Sequence, residues 1–127
     1  MMEEAAFKLD KSQIVPFLLT DWEVPVATLT LKTHRRNTRI RLTFEIGWSK
    51  PATADLGEFE VIIREGSSTG AEVFRGSEMC HWNALMQMDC ELIAPFSGEH
   101  SYWMNVMSDG RRAILNGPIA FHAVAVT

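Results

Sequence analysis

Residues 38–48 constrain the fold more than any other part of this sequence, because apolar and polar side chains alternate along them. One parity is apolar throughout: Ile40, Leu42, Phe44, Ile46 and Trp48. The other parity is polar or small: Arg39, Arg41, Thr43, Glu45 and Gly47. A period of two residues is that of a β-strand with one dry and one wet face, whereas a helix would scatter the apolar residues around its circumference. The segment therefore predicts a strand that covers a core on one side.

Comparable segments recur along the chain and predict further strands. They lie at residues 23–33, 58–65, 71–74, 80–96, 100–107, 113–115 and 119–126. Turn-forming residues separate them about every 8 to 15 residues, and the stretch 71–74 reads as the short partner of 58–65. A helix over 79–88 is the alternative to one long strand at 80–96. Six to eight such strands predict an all-β fold, an antiparallel β-sandwich or jelly roll.

Two short connections carry hairpin chemistry. Residues 34–37 are polar and end in an asparagine, so they predict a hairpin between the strands at 23–33 and 38–48. The Asp-Gly pair within 108–111 predicts a second hairpin, between the strands at 100–107 and 113–115, because these residues tolerate the positive φ angles of hairpin turns.

The first 21 residues do not share this pattern and divide the chain into an N-terminal arm, 1–21, and a β-sandwich domain, 22–127. Residues 2–11 are compatible with a short helix or with a flexible arm. The apolar side chains that follow are candidates for an oligomer interface: Ile14, Val15, Phe17, Leu18 and Leu19. They could add a strand to the open edge of a neighbouring copy, or pack on their own domain.

Composition narrows the classes of partner. Twelve basic and sixteen acidic residues give a net charge of −4, so we expect neither nucleic acid nor a membrane as partner. The apolar run at 14–19 is too short to cross a bilayer, and Glu3 and Glu4 occupy the place where an export signal needs positive charge. We therefore expect no export signal.

The residues that usually perform chemistry are scattered. On one long strand, Cys80 and Cys90 would lie roughly 33 Å apart, so we expect free, buried thiols. His81 would point away from Cys80, which disfavours a thiol nucleophile.

The sequence also contains no residue pattern typical of a metal site or of an acid–base catalytic site. The histidines follow no zinc-ligand spacing: His34, His81, His100 and His122. The acidic side chains have outward parity or lie in turns, which predicts solvated surface: Asp55, Glu58, Glu60, Asp89 and Glu91. We therefore expect no metal, no cofactor and no enzyme. A hydrolase or isomerase would require His81, His100 and His122 to converge in one barrel mouth.

The tryptophans divide into two groups. Trp48 and Trp82 share the parity of core residues and are predicted to pack inside. Trp103 lies on the opposite parity together with Met107, which predicts a second covered face and makes both residues oligomer-interface candidates. Trp22 and Trp103 are the candidate ligand contacts if the domain instead binds carbohydrate through exposed aromatic rings.

Five short stretches carry a resemblance to a known group of proteins. They are ATLTLKT at 27–33, NTRIRL at 37–42, EVIIR at 60–64, HSYWM at 100–104 and NGPIAF at 116–121. Over residues 22–127 the chain thereby resembles the jelly-roll domains of Firmicute spore-surface proteins, those of the exosporium and of spore appendages, which often close collagen-like stalks. The resemblance implies a structural protein of the spore exterior with a tumour-necrosis-factor-like jelly roll, commonly trimeric.

Together these observations predict a non-enzymatic structural protein that self-assembles into homo-oligomers, a trimer or a fibre. The alternative is a lectin-like carbohydrate-binding module with a glycan partner. The expected location is the spore surface or the extracellular space, reached without a signal peptide because the mother cell lyses, and the alternative location is the cytoplasm.

Overall fold

Strands account for most of the chain. The computed structural model describes residues 2–126 and, within that range, contains nine strands and a one-turn 3-10 helix at Lys11–Gln13. The strands are β1 (Met2–Leu9), β2 (Phe17–Leu18), β3 (Val24–Thr33), β4 (Thr38–Ser49), β5 (Gly57–Glu65), β6 (Ala71–Cys80), β7 (Asn83–Ala94), β8 (Gly98–Met107) and β9 (Ile114–Val126). No helix in this range has the length and apolar character to cross a membrane.

Two antiparallel sheets pack face to face. Sheet A has the order β1-β9-β4-β7, with β2 also pairing with β9, and sheet B has the order β3-β8-β5-β6. The pairs are nested in sequence, β1 with β9, β3 with β8, β4 with β7 and β5 with β6, as in a long antiparallel ribbon rolled into a jelly roll. The predicted all-β antiparallel sandwich is confirmed, and so is the pairing of β5 with the segment that follows it.

The hairpin predicted between β3 and β4 is wrong, because the two strands belong to different sheets. The connection has turn chemistry all the same: Asn37 has a φ of 57°, and the Thr38 hydroxyl donates a 2.7 Å hydrogen bond to the Arg35 carbonyl. The hairpin predicted at 108–111 is wrong for the same reason, because the turn joins β8 of sheet B to β9 of sheet A. A short polar turn serves a crossing between sheets as well as a hairpin, so turn residues alone do not distinguish the two.

The single strand predicted over 80–96 is also wrong. Cys80 ends β6, residues 81 and 82 turn, and Asn83 begins β7 in the other sheet. A two-residue connection preserves the alternation, so even-numbered positions face the core in both strands and the sequence shows no break. Trp82 lies in this turn and is 80 % exposed, which corrects its predicted core position.

The core lies between the sheets and contains the predicted Trp48. Its indole stacks on Phe59 with ring centroids 5.3 Å apart, and its Nε1 donates a 2.7 Å hydrogen bond to Glu78 Oε1. The inward positions of β4 form the centre of this cluster: Ile40, Leu42, Phe44, Ile46 and Trp48. The alternation along 38–48 therefore predicted the buried face correctly.

The N-terminal segment belongs to sheet A. Residues 2–9 form neither a short helix nor a loose arm, because β1 pairs with β9 along its whole length. Further on, β2 pairs with Leu115 and Ile114, and the Leu19 amide donates a 2.9 Å hydrogen bond to the Ala113 carbonyl. Of the two alternatives for the apolar run at 14–19, the structure has the one in which the run packs on its own domain.

Candidate functional site

Exposed apolar side chains are concentrated on the side of the sandwich formed by β6 and β7. There β6 and β7 are the outermost strands of sheets B and A. Six large apolar residues with substantial exposure lie on these strands and their connections: Met79, Trp82, Leu85, Met88, Ile93 and Phe96. We call this surface the apolar edge. A concentration of exposed apolar residues on one side of a folded domain makes that side a candidate for contact with another molecule.

The main chain of β7 is open along the same side. Over its twelve residues β7 pairs with β4, from Ser49↔Asn83 to Thr38↔Ala94, and within residues 2–126 it pairs with no strand on its other side. Edge strands usually carry proline, lysine or bulges that block further pairing. The β7 sequence has neither proline nor lysine, and its only charges are Asp89 and Glu91 on the outer face. β7 is therefore a template for another strand.

A second feature lies on the outer face of sheet B, where a polar cluster joins three strands. Arg64 on β5 binds Glu23, which precedes β3, through Nε to Oε1 at 2.9 Å and Nη2 to Oε2 at 2.7 Å. Its Nη1 donates to the Gly70 carbonyl at 3.0 Å. Asn105 on β8 donates from Nδ2 to Glu23 Oε1 at 3.0 Å and to the Ser68 carbonyl at 2.8 Å.

Arg64 and Glu23 each stabilise the ionised form of the other. The hydrogen bond from Arg64 lowers the pKa of Glu23 below its ordinary value, and the same bond raises the pKa of Arg64. Both groups therefore stay ionised at neutral pH and form a compensated pair.

Asn105 is buried, with 1 % of its surface exposed. Both partners of Nδ2 are acceptors, so the orientation of the amide is determined and Oδ1 faces away from them. Oδ1 accepts no hydrogen bond from the described residues, and neither does the buried Nε1 of Trp103 donate one within them. Leaving a buried polar group unpaired costs about 1–3 kcal/mol, so these two atoms mark a place where the structure is not optimised for stability.

An open cleft of about 330 Å³ lies beside the cluster. Its lining combines an indole, a proline ring, two charged side chains, an amide and two hydroxyls: Trp22, Pro25, Glu23, Arg64, Asn105, Ser68 and Thr69. Trp22 is 80 % exposed. The sequence pointed to Trp22 as a ligand contact. It contained no signal for Glu23, Arg64 or Asn105, because Arg64 lies 41 residues and Asn105 lies 82 residues from Glu23 along the chain.

The predicted interface residues lie in separate places. Val15, Phe17 and Leu18 are exposed near the β1 side of sheet A, and Ile14 is half-buried beside them. Leu19 is a core residue, so its side chain does not reach the surface. The role of the run in an interface stays a prediction.

Trp103 and Met107 are half-buried on the outer face of sheet B, on the parity that the sequence predicted. Trp103 stands between Thr28 and Arg64 in the strand register, and Met107 stands opposite Glu60. Trp103 therefore neighbours the polar cluster rather than Met79 or Trp82. Its participation in an interface also stays a prediction.

Both cysteines are free thiols, as the sequence predicted, and both are half-buried. Burial raises the pKa of Cys80 and of Cys90 above the usual thiol value, so neither is an activated nucleophile. His81, beside Cys80, is exposed.

The histidines occupy different environments. His122 lies on the outer face of sheet A and bonds to Glu4 at 2.9 Å, whereas His100 is buried and bonds to Thr33 at 3.1 Å. Among residues 2–126 no three His, Cys, Asp or Glu side chains are grouped so that they could hold a metal ion.

Glu58 departs from its predicted solvated position, because it is only 8 % exposed. Its Oε2 accepts a 2.9 Å hydrogen bond from the Asp109 amide, and the Arg112 guanidinium lies 4.0 Å away. Desolvation by burial is the main influence and raises the pKa of this carboxyl above its usual value. The parity of β5 did not reveal this, because the turn after β8 covers the start of the strand.

No protein-family model matches this sequence, and no curated protein does either. Among solved structures, the chain is similar to a protein of Bacillus endospore appendages, described as a family of disulfide-linked pili, with 10 % identity and a TM-score of 0.45 over 99 % of this chain and 90 % of that one. It is also similar to the insecticidal delta-endotoxin Cry8Ea1 from Bacillus thuringiensis, with 9 % identity and a TM-score of 0.46 over 89 % of this chain and 19 % of the toxin.

Proposed function

We propose that this protein is a non-enzymatic structural module that self-assembles by pairing the open edge of β7 with the β7 of a second copy. One observation carries the proposal: a twelve-residue strand that is unpaired along its outer side among the described residues and is flanked by the apolar edge. Pairing two such strands satisfies two rows of main-chain groups and continues sheet A across the contact.

The charges on β7 disfavour two registers of a two-fold antiparallel pair. In an antiparallel pair, directly opposite residues lie on the same face of the sheet. A two-fold axis between the copies therefore sets one residue of β7 directly opposite the same residue of the second copy. An axis at Asp89 sets two carboxylates against each other, and an axis at Cys90 sets Asp89 against Glu91. Like charges placed directly opposite are destabilising. Both axes are therefore disfavoured.

An axis at Met88 avoids this repulsion. It places Asp89 opposite Gln87 and Glu91 opposite Leu85 of the second copy, and it brings the two exposed Met88 side chains together. The same register removes part of the Leu85 and Met88 side chains from water, which supplies a hydrophobic contribution to association. We adopt this register.

Further growth would use the other side of the molecule. Val15, Phe17 and Leu18 are exposed on the β1 side of sheet A, at the opposite end of the strand order from β7. A second contact there would convert two-fold pairs into a fibre, because both ends of each pair would then offer an interface.

The setting that we propose for this assembly is a spore exterior. It is supported by the resemblance of the strand sequences between residues 22 and 127 to spore-surface domains. Expression of the tagged chain in a sporulating bacterium, followed by separation of spores from mother-cell lysate, tests the setting. Recovery with the washed spores supports it, and recovery in the lysate alone contradicts it.

The charge at position 87 tests the interface itself. In the Met88-centred pair each Gln87 faces Asp89 of the other copy, so Gln87→Glu creates two like-charge pairs between the copies and is expected to weaken dimerisation about tenfold. Inside each copy the new carboxylate also lies opposite Glu45, so folding of the variant is checked by circular dichroism. Gln87→Lys creates two opposite-charge pairs and is expected to strengthen dimerisation. Sedimentation equilibrium over a range of protein concentrations measures both effects.

Thr30→Glu is the matched control, because it adds the same charge to an exposed position of β3 in sheet B, which takes no part in either proposed contact. It should leave the dimerisation constant unchanged. A wild-type protein that stays monomeric at all concentrations, or a Gln87→Glu variant that associates like the wild type, would contradict the proposal.

A further inference from the structure

The cleft beside Trp22 is separate from the apolar edge and has its own chemistry. It lies on the outer face of sheet B at the β3 side, whereas β7 is the last strand of sheet A. Its apolar surface is the exposed indole of Trp22 and the ring of Pro25. Its polar surface comes from Glu23 and from the hydroxyls of Ser68 and Thr69.

We propose that this cleft binds a neutral saccharide, with one sugar ring stacked on Trp22 and with sugar hydroxyls bonded to Glu23 and to the side chains of the 66–70 loop. This is a binding activity in addition to self-assembly. A volume of about 330 Å³ accommodates one or two sugar rings and leaves the ends of a longer chain in solvent.

The charge balance of the cleft favours a neutral ligand. The Arg64 guanidinium is already engaged by both oxygens of Glu23 and by the Gly70 carbonyl. An anionic ligand would meet the Glu23 carboxylate with no free counter-charge, and a cationic ligand would meet Arg64 in the same way. The ion pair therefore disfavours either sign of charge.

The hydrogen-bonding groups favour a ligand that donates. The carboxylate of Glu23, which lines the cleft, only accepts hydrogen bonds. Hydroxyl groups supply donors in several directions and can also accept from Ser68 and Thr69. A ring that carries hydroxyls on its rim and C–H groups on its faces matches this combination of acceptors with an exposed indole.

Asn105 acts as a positioning residue. Its Nδ2 ties the carboxylate of Glu23 to the Ser68 carbonyl, so it fixes the acceptor and the loop relative to each other. Because Asn105 is buried, this arrangement exists before a ligand arrives, and preorganised polar groups lose less entropy on binding.

Two tryptophans of equal exposure provide the decisive comparison. Trp22 and Trp82 are both 80 % exposed, but only Trp22 lines the cleft. The probes are cellohexaose, xylohexaose, mannohexaose and N-acetylchitohexaose, with polygalacturonate as the acidic comparison, titrated by calorimetry. We expect saturable binding of at least one neutral probe, a loss of about tenfold or more in affinity for Trp22→Ala, and unchanged affinity for Trp82→Ala.

The titrations are repeated on Gln87→Glu, which changes β7 alone and leaves the cleft intact. If this variant binds a saccharide whether it is a monomer or a dimer, saccharide binding by the cleft does not depend on self-assembly. The two proposals can then be tested separately. Absence of binding for all four neutral probes, preference for polygalacturonate, or equal losses for Trp22→Ala and Trp82→Ala would overturn the saccharide proposal.

Discussion

Arg64 and Glu23 form a two-point ion pair that crosses over a strand to which neither belongs. Arg64 is on β5 and Glu23 precedes β3, while β8 lies between these strands in sheet B. The two hydrogen bonds, 2.9 Å and 2.7 Å long, pass above Asn105 of β8, which donates to the same carboxylate. The pair therefore links β5 to the start of β3 across β8 on the outer face of sheet B, and both of its side chains line the cleft.

The coupling between these two residues is measurable by a double-mutant cycle. Arg64→Ala leaves Glu23 without its charge-assisted hydrogen bonds and is expected to cost about 1–3 kcal/mol of unfolding free energy. Glu23→Gln in the Arg64→Ala background should cost much less than in the wild type. Urea unfolding measures all four proteins, and additive effects would refute the coupling. Arg75→Ala, at a more exposed ion pair, is the control and should cost less than about 1 kcal/mol.

Glu58 predicts a pH dependence of stability. Burial raises its folded pKa above the ordinary value near 4.5, so the folded state favours the protonated carboxyl. The resulting stabilisation is complete below the unfolded pKa and is lost as the pH rises through the folded pKa. Glu58→Gln lacks this titrating carboxyl, so it does not lose stability in this way. The unfolding free energy of the variant should therefore increase relative to that of the wild type as the pH rises above about 4.5. Thermal unfolding at several pH values measures this difference, and a constant difference would contradict the assignment.

Two phenylalanines give opposite expectations for the same substitution. Phe59 is fully buried against Trp48, so Phe59→Ala is expected to cost about 3–5 kcal/mol of unfolding free energy. Phe96 is 60 % exposed on the apolar edge, so Phe96→Ala should cost less than about 1 kcal/mol. Urea unfolding monitored by circular dichroism compares them, and equal costs would mean that the core is not where the structure places it.

The main chain of sheet A leaves no room for a side chain at Gly47. A Cβ at this position would overlap the carbonyl oxygen of Gly117, which is main chain and has no rotamer to change. Gly47→Ala is therefore expected to cost about 3 kcal/mol. Gly76→Ala is the control: its Cβ would meet the flexible Met88 side chain and the edge of the Phe74 ring, at an expected cost of about 1 kcal/mol. Thermal denaturation ranks the two, and the reverse order would contradict the close approach of β4 and β9.

Some structural errors in the sequence prediction share one cause. Three predictions failed because local sequence does not determine which sheet the next strand joins. They are the hairpin between β3 and β4, the single strand over 80–96 and the hairpin at 108–111. The exposed Trp82 follows from the second error, because a residue in a two-residue turn keeps core parity without lying in the core. Glu58 has a different cause, since a distant turn buries it.

The candidate sites show the same division. Trp22 was recognisable as an aromatic ring outside the strand pattern, and the apolar composition of 79–96 is plain in the sequence. Glu23, Arg64 and Asn105 form one cluster only because β3, β8 and β5 lie side by side, so no local pattern could group them.

The amino-acid sequence by itself determined that the chain is built from strands, which face of β4 is buried and that Trp48 belongs to the core. Side-chain alternation is a local property, and burying a strand on one side is enough to impose it. The tertiary structure decided which strands pair, that β7 is left at an edge, and that an ion pair spans β8. Those outcomes depend on how all the strands share one core, because pairing partners far apart in sequence are selected by burial of the whole set and not by any segment alone.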